Sequence, residues 1–112
     1  MKVIGVTSCP SGVAHTYMSA EALRTAATKY NIKVKVETQG LSGIENRLTQ
    51  DDIDEADFVV LTTDTSIIGI NRFKGKKAIK IEARDLIDYA DDLIEKLLDS
   101  YYWEFVGTIG FT

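Results

Sequence analysis

With 112 residues, 45% of them hydrophobic and 27% charged, the chain is long enough for one domain with a core of its own. A net charge of −4 argues against nucleic acid as a partner, because phosphate backbones demand a basic excess. One cysteine and one histidine exclude an internal disulfide, a C-x-x-C redox pair and an ordinary Cys/His zinc site, so neither metal nor cofactor is expected.

An apolar run predicts a first strand over residues 2–8. A helix over about 13–30 follows, with Met18, Ala22, Leu23, Ala26, Ala27 and Tyr30 on one face at helical spacing. Val34 and Val36 alternate with Lys33, Lys35 and Glu37, which predicts a second strand over 33–39. Thr49, with Asp52 at capping-box spacing, opens a short acidic helix to about Ala56. Phe58-Val59-Val60-Leu61 marks a third strand over 57–63, and Ile79 with Ile81 a fourth. A last helix runs over about 84–99, lined by Leu86, Ile87, Ala90, Leu93, Ile94, Leu97 and Leu98. Residues 100–112 carry five aromatics and two glycines, and read as a separate tail of unknown role that packs back on the domain, swaps onto a neighbour or connects to another domain. No stretch reaches the roughly 18 apolar residues that span a bilayer, and the run before Cys9 is too short for a leader. Any work at a membrane would go through a partner.

Strands buried on both faces read as unbroken apolar runs, whereas edge strands alternate. Strands one and three are therefore central and two and four are edges. The expected fold is α/β, a three-layer sandwich with a four-stranded parallel sheet of order 2-1-3-4 and helices on both faces. Such sheets bind ligands beyond the carboxyl ends of the strands, at the switch point between strands one and three.

Cys9 stands at that point, where the first strand hands over to the first helix. A helix N-terminus carries unpaired N–H groups that favour anions and lower the pKa of a nearby thiol. A thiolate in a phosphate-sized cradle of N–H groups can accept a phosphoryl group; a buried apolar cysteine is the plainer reading. The loop Pro10-Ser11-Gly12-Val13-Ala14-His15-Thr16 matches neither a dinucleotide fingerprint nor a Walker A loop. A cysteine phosphatase would place arginine six positions after the nucleophile, where this chain has His15. Without that fork a phosphoryl in transit to water is poorly held, which suits a carrier better than a hydrolase. His15 reads either as an acid, base or phosphate contact, or as a packed residue that orients the loop. Ser11 and Thr16 offer hydroxyls to the site or to the helix end. Glu37-Thr38-Gln39-Gly40 and Thr62-Thr63-Asp64 end at the same face, as site lining or as turns. Arg72, Lys74 and Lys76 belong to a basic stretch that is either a solvated surface or a docking patch for a charged partner.

Together, Cys9-Pro10-Ser11-Gly12-Val13-Ala14-His15-Thr16, Ala20-Glu21-Ala22-Leu23, Glu37-Thr38-Gln39-Gly40, Gly43-Ile44-Glu45-Asn46, Leu48-Thr49, Ile53 with Ala56-Asp57, and Arg72-Phe73 with Gly75-Lys76 carry a family likeness. Over about residues 2–99 the sequence resembles the fructose-type IIB component of the bacterial phosphoenolpyruvate-dependent sugar phosphotransferase system. Ser11 stands where that family usually has threonine and keeps the hydroxyl; the likeness does not reach the tail. The resemblance implies a cytoplasmic phosphotransferase domain over 1–99. A phosphohistidine of the IIA component would pass its phosphoryl group to Cys9, held by the loop from Pro10 to Thr16. Cys9 would pass it to fructose or a related hexose bound by the membrane component IIC. A cysteine-dependent phosphatase and a regulatory IIB-like module are the alternatives.

Overall fold

Two strands with unbroken apolar texture form the middle of the sheet: β1 (Lys2–Ser8) and β4 (Phe58–Thr62), each buried along almost its whole length. The computed structural model describes the backbone of residues 1–106 and the side chains of residues 1–100. β2 (Lys33–Gly40) lies parallel to β1 on one side, β4 lies parallel to it on the other, and β5 (Ala78–Ile81) lies parallel to β4. These four strands take the relative order expected for them. The expectation of an all-parallel, four-stranded sheet is corrected by a fifth strand, β3 (Gly43–Glu45), which pairs antiparallel with the carboxyl half of β2. The sheet is therefore mixed, with order β3-β2-β1-β4-β5.

The fifth strand escapes a periodicity reading because it is three residues long and follows a tight turn at Leu41-Ser42, with Gly43 at φ 102°. It has one partly buried side chain, Ile44, so no alternation can develop. Its presence also changes β2. Thr38, Gln39 and Gly40 pair with β3, and Val36 to Gln39 are all buried, so β2 is an edge only in its first half.

The two faces of the sheet carry unequal layers. Val3, Val36, Phe58, Val60 and Ile79 face α1 (Ala14–Lys29) and α3 (Ala83–Val106), with Leu23, Leu86, Ile94 and Leu97 filling the space between. Gly5 allows that contact: a Cβ there would lie 2.8 Å from the Leu23 side chain. On the other face Ile4, Val6, Val59 and Leu61 meet Leu48, Ile67, Phe73 and Ile53 of the short α2 (Gln50–Glu55). The expected capping box is present: Asp52 N–H donates to Thr49 Oγ1 at 3.1 Å, and Thr49 N–H donates to Asp52 Oδ2 at 2.8 Å. Asp52 also accepts from Lys2 and Lys35, which ties α2 to the two strands beneath it and holds its carboxyl below the usual aspartate range.

α3 does not end near Asp99 as expected but runs to Val106, with one non-helical residue, Tyr89, where the axis kinks. The first part of the aromatic tail is thus helical in backbone. Its packing, and residues 107–112, lie outside the described residues.

Candidate active site

β1 ends at Ser8, and the residues beneath it fix where the thiol stands. Thr62 Oγ1 accepts from Ser8 N–H at 2.9 Å and donates to Ser8 C=O at 3.1 Å. Ser8 Oγ donates to the Gln39 carbonyl at 3.2 Å, so the last residue of β1 is pinned on both flanks. Thr7 Oγ1 donates to the Thr16 carbonyl at 2.8 Å and ties the first turn of α1 back to the strand. Between these anchors the chain turns through Gly12, at φ 68°, whose N–H donates to the Cys9 carbonyl at 2.9 Å. Glycine suits this left-handed turn, and its missing Cβ matters too: one there would lie 2.8 Å from the Leu41 nitrogen.

Cys9 is 6% exposed, a buried residue at the floor of an open pocket of about 340 Å³. Thr16 Oγ1 donates to its sulfur at 3.1 Å, and the Ser11 hydroxyl lies 3.4 Å away. Burial pushes the thiol pKa up. The Ser11 and Thr16 hydroxyls and the N–H groups of Val13 and Gly12 together outweigh burial and bring it down from 9.0 to about 6. At neutral pH the group is a thiolate, the nucleophilic form.

The loop residues divide by role. Gly12 and Thr16 are buried against the thiol, whereas Pro10, Ser11, Val13, Ala14 and His15 are exposed. Pro10 has no N–H to offer. His15 makes its hydrogen bond through its carbonyl, which accepts from Ser19 Oγ in the next turn of α1. The helix start carries no side-chain cap, so its N–H groups remain available to an anion.

The opposite wall was only half foreseen. Gln39 and Gly40 line the pocket, joined by Leu41, Gly43 and Ile44 of the β2–β3 hairpin and by Thr65, Ser66 and Ile68. Thr62 acts beneath the site through Ser8, and Asp64 accepts from Ala83 N–H at 2.7 Å, at the start of α3. The closeness of Gly40 to Gly43 was the signal for the hairpin; nothing in the local sequence marks 65–68.

Two of the three basic residues singled out are engaged within the fold. Arg72 grips the fully buried Glu37 with both Nη groups, each at 2.9 Å, and stacks over Phe73 at 4.8 Å. Burial pushes the Glu37 carboxyl up, but the Arg72 fork, Gln39 and the Leu48 N–H hold it below the usual glutamate range. Lys76 Nζ donates to the carbonyls of Asp54 and Ala56, both at 3.1 Å, which neutralises the end of α2. Lys74 is exposed.

Among the described residues no cluster of His, Cys, Asp or Glu could hold a metal ion, and no helix is long and apolar enough to cross a membrane.

The family model described as "PTS system, Lactose/Cellobiose specific IIB subunit" matches residues 4–97. The chain is 50% identical over 96 residues to the PTS system fructose-like EIIB component 2 of Escherichia coli K12, covering 86% of this chain and 91% of that one. It is 38% identical over 98 residues to the PTS system fructose-specific EIIABC component of Bacillus subtilis, covering 88% of this chain and 15% of that much longer one. The solution structure of the Enzyme IIB subunit of the PTS system from Escherichia coli K12 superposes with a TM-score of 0.86 at 37% identity, over 92% of this chain and 95% of the other. By sequence and fold the chain belongs to the IIB family of the sugar phosphotransferase system.

Proposed function

We propose that Cys9 is the atom through which this IIB phosphotransferase works as a phosphocarrier in sugar uptake. A single observation carries the assignment: a buried sulfur, lowered to about pKa 6, surrounded by two hydroxyls and two backbone N–H groups at the open start of a helix. The thiolate attacks the phosphorus of a phosphohistidine on a IIA partner. The S–P bond forms as the N–P bond breaks, and the imidazole leaves with the electron pair. The second transfer reverses the role of sulfur: a sugar hydroxyl attacks phosphorus and gives its proton to a base on the membrane partner, and the O–P bond forms as the S–P bond breaks and the thiolate leaves. The loop from Pro10 to Thr16 supplies fixed dipoles and hydroxyls along the way, with Pro10 shaping it rather than donating.

Fructose or a related hexose, held by a membrane IIC partner, is the acceptor this reading favours; the fructose names of the relatives support it. Relatives in which IIB is part of longer EIIABC and EIIBC chains support partnering within the same system. The working domain is residues 1–99, acting at the cytoplasmic side of the membrane. Of Arg72, Lys74 and Lys76, exposed Lys74 is the one whose charge is open to a docking partner. A phosphatase reading is weaker, because His15 occupies the position of the phosphatase arginine and Arg72 is held by Glu37.

The test is intact-mass and peptide mapping after incubation with phosphoenolpyruvate, enzyme I, the histidine phosphocarrier protein and a fructose-type IIA. One stable phosphoryl adduct on Cys9, lost when IIC and sugar are added, is the expected result. No adduct, or one lost at once to water, overturns the assignment.

A further inference from the structure

One wall of the Cys9 pocket does not come from the cysteine loop. Thr65, Ser66 and Ile68 form it, in a connection with neither strand nor α-helix of its own. A chain of polar contacts holds this segment onto the sheet. Gln39 clamps Ile68 from both sides: Ile68 N–H donates to Gln39 Oε1 at 2.8 Å, and Gln39 Nε2 donates to the Ile68 carbonyl at 2.9 Å. The same Nε2 donates to Glu37 Oε2 at 2.9 Å, which fixes the orientation of the amide, because a carboxylate accepts only from its NH₂ end. Arg72 completes the set. It grips Glu37 and donates to the carbonyls of Gly69 at 2.8 Å and Ile68 at 3.2 Å. At the other end, the Gln39 carbonyl accepts from the hydroxyl of Ser8, the residue before the nucleophile.

We propose that Gln39 and Arg72 are positioning residues that hold the 65–68 wall against the Cys9 pocket, so that a phosphoryl group on sulfur meets its acceptor and not water. This rests on Cys9 being the phosphoryl acceptor. Neither residue has a contact with the sulfur among its hydrogen bonds, so both act through Ile68. The loss they prevent is hydrolysis: water attacks phosphorus, the S–P bond breaks, sulfur leaves as thiolate and the proton goes to solvent. An amide held by a buried carboxylate suits this task, because it cannot rotate to satisfy itself elsewhere.

Two variants test it, Gln39→Met, which keeps the volume and removes the amide, and Arg72→Lys, which keeps the charge and removes the fork. The first readout is alkylation of Cys9 by iodoacetamide across pH; the second is the lifetime of phosphocysteine in buffer. In folded variants the alkylation plateau is expected to rise about tenfold and the phosphocysteine lifetime to fall about tenfold, the scale of losing one net hydrogen bond that favours closure. The midpoint of the alkylation profile does not rise, because the hydroxyls and N–H groups that lower it lie in the cysteine loop and an opened wall only relieves burial. A folded Gln39→Met protein with wild-type plateau and lifetime overturns the proposal, as does a change confined to thermal stability. If Gln39→Met does not fold, Arg72→Lys decides on the same readouts. Alkylation needs no phosphoryl donor, so failure of the wall and failure of Cys9 as acceptor are separable.

Discussion

Two polar centres sit near the carboxyl ends of β1 and β2, and they are made of opposite materials. Around Cys9 every partner is a neutral dipole: two hydroxyls and two N–H groups, facing an open pocket. Around Glu37, itself closed off from solvent, the Gln39 amide and the Leu48 N–H are joined by a full charge, Arg72, held in a two-point fork. The difference matches the work proposed for each centre. A group that arrives and departs is best met by dipoles already in place, which stabilise it in transit without trapping it on sulfur. A permanent charge pair serves shape, and it stands behind the site, not in it.

Removing the sulfur breaks the comparison outright. Cys9→Ser is expected to fold with wild-type circular dichroism and to accept no phosphoryl group; a mutant labelled at the wild-type rate in the same mixture would eliminate Cys9 as the acceptor.

A smaller blow falls on the other centre. Glu37→Gln leaves Arg72 without its counter-charge and weakens the Gln39 and Leu48 contacts, and should cost about 3 kcal/mol in urea unfolding. Acid tests the same pair. The folded carboxyl lies below its ordinary value, so its stabilisation is complete above that value and is lost as pH falls through the folded one. Glu37→Gln should therefore flatten the acid limb of the wild-type stability profile.

The thiol has its own window. Its folded pKa is about 6 and its ordinary value 9.0, so between them the unfolded chain binds a proton that the folded chain has released. Stability from this group is complete above 9.0 and lost as pH falls through about 6, and the thermal midpoint should climb across that interval. Thr16→Val removes one hydroxyl donor, moves the alkylation midpoint upward and narrows the climb; an unmoved midpoint would show that Thr16 does not tune the sulfur.

The least effect is expected at the surface. Lys74→Ala should slow phosphorylation by IIA at low salt and leave it unchanged at high salt, as rim charges act mainly on encounter. An unaltered salt dependence would leave the patch a plain solvated surface.

The architecture and the place of Cys9 in it were readable because their signals are local. Continuous apolar runs at Val3–Ile4 and Phe58–Leu61 mark central strands, and a thiol at the end of the first of them inherits the position where such sheets bind ligands. The rest required contacts distant in sequence. Arg72 looks like one more residue of a basic stretch until the fold brings Glu37, 35 positions earlier, beneath it. Glu37 looks like a solvent-facing residue of an alternating strand until Leu48 and Arg72 close on its carboxylate. A three-residue strand has too few positions to show a period, and a helix that continues past Asp99 through aromatic residues looks, by composition, like its end.

One contact links the part that was read to the part that was missed. The Leu41 N–H donates to the Gly12 carbonyl at 2.7 Å, and a Cβ on Gly40 would come within 2.8 Å of that same oxygen. The cysteine loop and the hairpin are cut to each other, backbone to backbone, with the Tyr17 ring of α1 packed against Gly40 as well. They are therefore not interchangeable modules. A graft of residues 9–16 from another family member would carry its chemistry faithfully only if the 40–43 turn travelled with it, and drift at either glycine is constrained by a partner some thirty residues away.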